Sequence, residues 1–245
     1  MTYVIIKEKY ISAYRRRKGQ KGAICMSNGS LTVTMKNELQ KYGLSDFEAG
    51  DVRVLKFEKG QYLCRESFPM EYLLFMVSGK AKAFINVSNG KSLLLAFYAK
   101  SGILGDIELM TDGICTTNVQ ALTEVTCMGI PLKHCGEKLR RNVTFMNFVG
   151  THLAQKLDRC ARNGAINILL PLETRLCSYV LMTNEDGLFN ENLTEVAELL
   201  GTSYRHLLRT FDSLRKDGIL EKAARGYFIK DGIELQIRAQ DFYTV

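Results

Sequence analysis

The chain has 245 residues, 46% apolar and 24% charged, as in a globular protein with two ordinary domains, and no apolar run approaches the roughly 20 residues that cross a bilayer. Its net charge of +7 suggests a nucleic-acid partner, yet residues 1–35 hold seven Lys/Arg against one acid while residues 171–245 hold nine against twelve, so only local charge placement can support that partner. Seven cysteines without a CxxC pair argue against a disulfide framework or a zinc ribbon and fit a reducing cytoplasm.

Residues 1–35 show little helical or strand period, and Arg15-Arg16-Arg17-Lys18 has the composition of a disordered basic arm. The segment also has the features of a leader. Lys21-Gly22-Ala23 can be encoded by a sequence containing a bacterial ribosome-binding site just ahead of the Met26 codon, which would put the native start at Met26 or Met35. No apolar stretch followed by small residues marks a secretory signal, so a cytoplasmic location is expected.

From 36 to 131 the chain alternates short β-rich runs with glycine turns, the pattern of an all-β barrel or roll. The runs are Val52 to Phe57, Tyr72 to Val77, Ala81 to Val87, Ser92 to Tyr98 and Val119 to Ile130. Asn89-Gly90 predicts a tight hairpin, because both positions tolerate positive φ. Between runs, Gly102-Ile103-Leu104-Gly105 is expected to form a glycine-opened loop leading into a short helical turn at Asp106-Ile107-Glu108-Leu109. Such a loop brings backbone close to an anion, or simply connects two strands.

Residues 132–168 predict a linking helix, continuous from about Arg140 to the Asn163-Gly164 region. Its apolar stripe is Met146, Val149, Leu153, Leu157 and Cys160, at spacings of 3, 4, 4 and 3. So narrow a seam suits pairing with a second copy of the helix, while the plainer alternative packs it on the β domain.

Residues 169–245 predict a winged helix-turn-helix. Asn192 caps a first helix that ends at Gly201, and Ser203 caps a second, Tyr204 to about Lys216, with Leu207, Leu208, Phe211 and Leu214 facing the core. The other face presents Tyr204, Arg205, His206 and Arg209, as a major-groove reader does. Ile219 to Ile229 forms the wing, with Lys222 and Arg225 placed to neutralise phosphates.

Together, Gly105-Asp106-Ile107-Glu108-Leu109, Val119-Gln120-Ala121, Pro131-Leu132-Lys133-His134, the stretch from Leu200 to Leu208 and Gly226-Tyr227-Phe228-Ile229-Lys230 resemble the CRP/FNR family of bacterial transcription regulators, in its YeiL-type branch. The resemblance covers roughly residues 40 to 235. It implies an α+β chain with an N-terminal double-stranded β-helix of cyclic-nucleotide-binding type, a long dimerisation helix and a C-terminal winged helix-turn-helix. It further implies a homodimer on a palindromic operator in double-stranded DNA, acting on RNA polymerase. The ligand pocket of the roll would then involve Gly105, Asp106, Ile107, Glu108, Thr116 and Thr117.

Two departures bear on the signal. Asp106 stands where cyclic-AMP-binding members carry a ribose-binding glutamate, and Cys115-Thr116-Thr117-Asn118 lacks the arginine that grips the cyclic phosphate. Cyclic AMP would bury an unpaired charge there and is not expected as ligand. Nor is an FNR-type iron-sulfur cluster expected, because Cys25 stands alone where that cluster needs several cysteines. The cofactor is left unknown, with His134 and His152 as haem candidates and Cys64, Cys115, Cys127 and Cys160 as candidate switch thiols. In the recognition helix, Arg205 replaces the family's usual glutamate, which shifts base preference from cytosine toward guanine. A regulatory module that does not bind DNA, or an enzyme, would leave residues 192–230 unexplained, and no catalytic triad or paired carboxylates stand at a recognisable spacing.

Overall fold

The computed structural model describes residues 24–26, 33–48, 50–86, 92–99 and 102–239. The basic arm, the Asn89-Gly90 hairpin turn and the C-terminal six residues lie outside the described residues. The chain divides into two compact units, one joining residues up to Ala81 with Tyr98–Lys156, the other joining Lys82–Phe97 with the chain from Leu157 onward. The division falls within the linking helix.

The first unit is built on a five-stranded sheet, ordered β1-β2-β9-β4-β7, where β1 is Ile24–Met26, β2 Arg53–Phe57, β4 Tyr72–Ser78, β7 Gly102–Leu104 and β9 Val125–Pro131. β4 and β9 run antiparallel with Leu73 opposite Ile130 and Phe75 opposite Met128. Alternation puts Leu73, Phe75, Ile103, Met128 and Ile130 on one face. There they meet Leu39 of α1 (Val33–Lys41), Cys135 and Leu139 of α3 (Leu132–Arg141), and Phe145 and Val149 of α4 (Val143–Leu169), all buried. Because β4 and β9 are buried on both faces, they read as continuous apolar runs rather than as alternating ones.

The second sheet has the order β3-β8-β5-β6, with β3 Tyr62–Cys64, β5 Lys80–Asn86, β6 Ser92–Ala99 and β8 Asn118–Ala121. Antiparallel sheets rolled with helices in this way form the β-roll expected from the resemblance.

Four details differ from the sequence expectations. Val119 to Ile130 is not one strand, because Leu122-Thr123-Glu124 turns the chain between β8 and β9, pinned by the Leu122 and Thr123 amides on the Lys80 carbonyl. Gly102–Leu104 is a strand paired with β4 rather than a loop, and only Gly105 breaks the chain before α2 (Asp106–Met110). Ile24–Met26 pairs with β2, and α1 begins at Val33, so part of the segment taken as leader joins the fold. The linking helix breaks at Asn142, whose extended backbone ends α3 and whose side chain accepts from the Phe145 amide to start α4; α4 then runs past Gly164 to Leu169.

In the second unit, α5 (Leu172–Thr183), α6 (Leu193–Leu199), α7 (Tyr204–Lys216) and α8 (Gly232–Ala239) surround a small core, with a three-stranded sheet ordered β10-β12-β11 (Leu188–Phe189, Tyr227–Ile229, Leu220–Lys222). An aromatic chain runs through it. Tyr179 meets Phe97 at 5.6 Å and Phe189 at 6.2 Å, Phe189 meets Phe211 at 5.6 Å, and Phe211 stacks on Tyr227 at 4.3 Å. Each ring pair adds about 0.5–1.5 kcal/mol beyond its burial, which helps fix α7 against the wing.

Candidate functional site

The helix-turn-helix starts where the Asn192 side chain accepts from the Thr194 amide at 3.0 Å and opens α6. At Gly201 the backbone turns left-handed with φ +62°, a conformation a β-carbon resists. Ser203 then caps α7, its hydroxyl accepting from the His206 amide at 3.2 Å.

Helical spacing sorts the rest of α7. Leu207, Phe211 and Leu214 are fully buried, at i, i+4 and i+7, whereas Ser203, Tyr204, Arg205, His206 and Arg209 are exposed. Leu208, expected in the core, is half-buried at its edge. The His206 ring lies 3.3 Å from the Thr202 hydroxyl, which holds it beside the start of the helix.

In the wing, Lys222 pairs with Tyr227 across the strands, and the Ala223 amide donates to the Gly226 carbonyl to close the turn bearing Arg225. Both Lys222 and Arg225 are exposed. Several acids behind the negative count of this region are already engaged. Arg238 bonds Glu173 at 2.8 Å, Asp217 at 2.7 Å and Glu234 at 2.9 Å, and Arg215 bonds Asp212 at 2.8 Å. The recognition face thus stays cationic although residues 171–245 are formally negative.

Inside the roll, the six expected pocket residues have different fates. Gly105 opens α2 with a left-handed backbone, Asp106 and Glu108 point into the interior, Ile107 is partly exposed, and Thr116 and Thr117 lie at or near the surface. Asp106, 1% exposed, is gripped by a residue the sequence did not single out. Lys156 of α4 donates to both its oxygens at 2.8 Å and to the Ile103 carbonyl at 2.8 Å. Burial pulls the Lys156 ammonium pKa down, but the Tyr98 oxygen and the Asp106 carboxylate together outweigh it and leave it raised. His152 stacks on Phe148 at 5.7 Å with its Nε2 3.9 Å from Asp106. Burial pushes the Glu108 carboxyl up. The signal for Lys156 was its position off the apolar stripe on a helix that must cover the roll, but no spacing rule pairs it with Asp106, 50 residues away in sequence.

The residues of the expected dimer seam divide into two sets. Val149 is fully buried in the core of its own unit, and Met146 and Leu153 pack against that core. A stripe at this spacing serves any apolar partner, and here the sheet is the nearer one. Leu157, 72% exposed, and Cys160 remain outward-facing, with exposed Ile168 and Leu169 further along. Of the candidate switch thiols, burial pushes Cys127 up to about 12, far from reactivity at neutral pH.

Comparison with known proteins follows the same lines. Residues 54–142 match the cyclic nucleotide-binding domain family. Over 192 residues the chain is 32% identical to the regulatory protein YeiL of Escherichia coli O157:H7, covering 78% of this chain and 87% of that protein. It is 23% identical over 194 residues to a CRP-like cAMP-activated global transcriptional regulator of Mycobacterium tuberculosis, covering 75% of this chain and 87% of that one. A crystal structure of a regulator of the CRP/FNR family from Eubacterium rectale superposes with a TM-score of 0.68 at 15% identity, covering 88% of this chain and all of that one. The c-di-GMP-responsive global regulator CLP of Xanthomonas campestris superposes at 0.61 and 14% identity, covering 80% and 99%.

Proposed function

Because the chain belongs to the CRP/FNR family of transcription regulators, alongside YeiL, we propose that it reads a palindromic operator in double-stranded DNA as a cytoplasmic homodimer. The observation that carries this proposal is the exposed cationic face of α7, held in place by the Ser203 cap and by Leu207, Phe211 and Leu214 beneath it. Tyr204, Arg205, His206 and Arg209 face the major groove, and Lys222 and Arg225 reach the flanking phosphates. Arg205 offers a planar donor fork to guanine O6 and N7, so the operator differs from those read by family members with glutamate there. Pairing of two copies uses the exposed apolar run of α4 and beyond, including Leu157 and Cys160. RNA polymerase is the partner through which the bound dimer acts. The signal is not cyclic AMP, since Lys156 occupies both oxygens of Asp106 and residues 115–118 supply no arginine for a phosphate.

Selection of bound sequences from a random DNA pool, followed by gel shift, tests the proposal. An enriched palindrome with half-sites about one helical turn apart is expected. Arg205→Ala should relax one base pair per half-site at a cost of about 1–3 kcal/mol. Equal weakening on every sequence would refute direct readout by Arg205, and no enrichment at all would refute the DNA-binding function.

A further inference from the structure

Three sulfur atoms converge inside the first unit, in a cluster that DNA binding does not use. Cys64 ends β3, Met70 precedes β4 and Cys115 precedes β8; their exposures are 6%, 8% and 3%. Cys64 Sγ lies 3.6 Å and Cys115 Sγ 3.7 Å from Met70 Sδ, so all three sulfurs gather around one point.

The backbone around them is pinned. The Ser67 amide donates to the Cys115 carbonyl at 2.8 Å, the Cys115 amide to the Phe68 carbonyl at 2.9 Å and the Met70 amide to the Gly113 carbonyl at 2.9 Å. A bridge between Pro69 and Ile114 completes this zipper, so two of the sulfurs sit on paired segments and keep their spacing.

That spacing suits a metal ion. A trigonal site with metal–sulfur bonds of about 2.3 Å, the length seen in zinc thiolates, separates its sulfurs by about 4 Å. The donor set selects which ion. Calcium and magnesium need oxygen ligands, and structural zinc takes four ligands from thiolate, imidazole and carboxylate. Two thiolates and a thioether form the soft set that selects Cu(I).

We propose that Cys64, Cys115 and Met70 form a Cu(I) site in the interior of the roll. On binding, each thiol loses its proton to solvent and forms a sulfur–copper bond, and Met70 donates a lone pair; no oxidation state changes. The loaded site carries one net negative charge. The neighbouring Cys115 and burial hold the Cys64 thiol well above its ordinary value, with Glu108 adding to this and Lys156, the smallest influence, opposing it, so the ion itself has to drive off the proton. Lys156 stands on α4, so the new charge acts on the helix that leads toward the DNA reader. That regulatory consequence rests on the function proposed above, whereas copper binding does not.

The test titrates the reduced full-length chain with Cu(I) under anaerobic conditions against a chromophoric Cu(I) chelator, without DNA. One ion per chain, with thiolate-to-copper absorption in the near ultraviolet, is expected. Cys64→Ser and Cys115→Ser should each weaken binding by more than the roughly 10–100-fold that loss of a second-shell partner costs, and Cys160→Ser should leave it unchanged. Met70→Leu nearly conserves volume and keeps the fold, so it serves should the cysteine variants unfold; it should weaken binding by about tenfold, the lower end of that scale. Three results overturn the site. They are no retention of Cu(I) against the chelator, retention that survives loss of Cys64 and Cys115, and unchanged affinity in Met70→Leu. Because the DNA selection is run without copper, failure of either proposal is read independently.

Discussion

Lys156→Met would test whether a buried ion pair organises the roll. The ammonium makes three bonds of 2.8 Å, two to Asp106 and one to the Ile103 carbonyl, and Asp106 is 1% exposed. Without Lys156 the carboxylate stays buried with its cation gone, which costs about 3–5 kcal/mol. For a chain of this size a kilocalorie shifts the melting temperature by about 2–4 °C, so the variant should melt roughly 6–20 °C lower. Replacing both partners, Asp106→Leu with Lys156→Met, removes the orphan charge and should recover most of the loss. The pH dependence has a definite sign. The Lys156 pKa is raised in the folded state, so its contribution is complete below the ordinary lysine value of about 10.4 and is lost as pH rises through the folded value. Urea unfolding of the four proteins, followed by circular dichroism under reducing conditions at pH 7 and again above pH 10, measures the coupling. A single-variant loss below about 1 kcal/mol, or a double variant as unstable as the two losses added, would show that the pair does not act as a unit.

Other expectations are simpler to check. Ser203→Ala removes the cap of α7 and should cost about 0.5–2 kcal/mol in thermal unfolding, with weaker DNA binding and unchanged base preference. Lys222→Ala and Arg225→Ala should weaken binding evenly across sequences and each reduce the slope of log affinity against log salt by about 0.9, as loss of a phosphate contact requires; an unchanged slope would show that the residue does not touch DNA. Burial raises the Glu108 pKa above its unfolded value, so its charge opposes folding at neutral pH. Glu108→Gln should therefore stabilise the chain at pH 7, with the gain gone below about pH 4, where the carboxyl is protonated in both states.

What could be read from sequence was governed by range. α6 and α7 followed from caps and periodicity within 25 residues, because Asn192, Gly201 and Ser203 act on their own neighbours. The strands around Tyr72 and Ser92 announced themselves as apolar runs. β3 and β7 escaped because three residues carry too little pattern, and Ile24–Met26 because its partner lies about 30 residues on. The same limit hid the roll interior. Asp106 and Lys156 lie on separate elements, as do Cys64, Met70 and Cys115, and nothing in their local spacing records that the fold brings them together. The stripe on α4 meets a different limit. Its period was legible, but a period specifies an apolar face without naming which surface it meets.

The occupied state of Asp106 bears on what kind of signal the roll can accept. A site that captures an anion must hold a cation without a full partner until the ligand arrives. Here the buried cation beside Asp106, Lys156, already gives its donors to Asp106 and the Ile103 carbonyl. An incoming phosphate would have to take Lys156 from Asp106, leaving the carboxylate buried beside a second negative charge, at several kilocalories per mole. Binding of Cu(I) makes no such demand on Lys156. It releases two thiol protons and leaves one net negative charge, but that charge is shared by the sulfurs and the copper, so the Lys156–Asp106 pair stays intact while the sulfurs are filled.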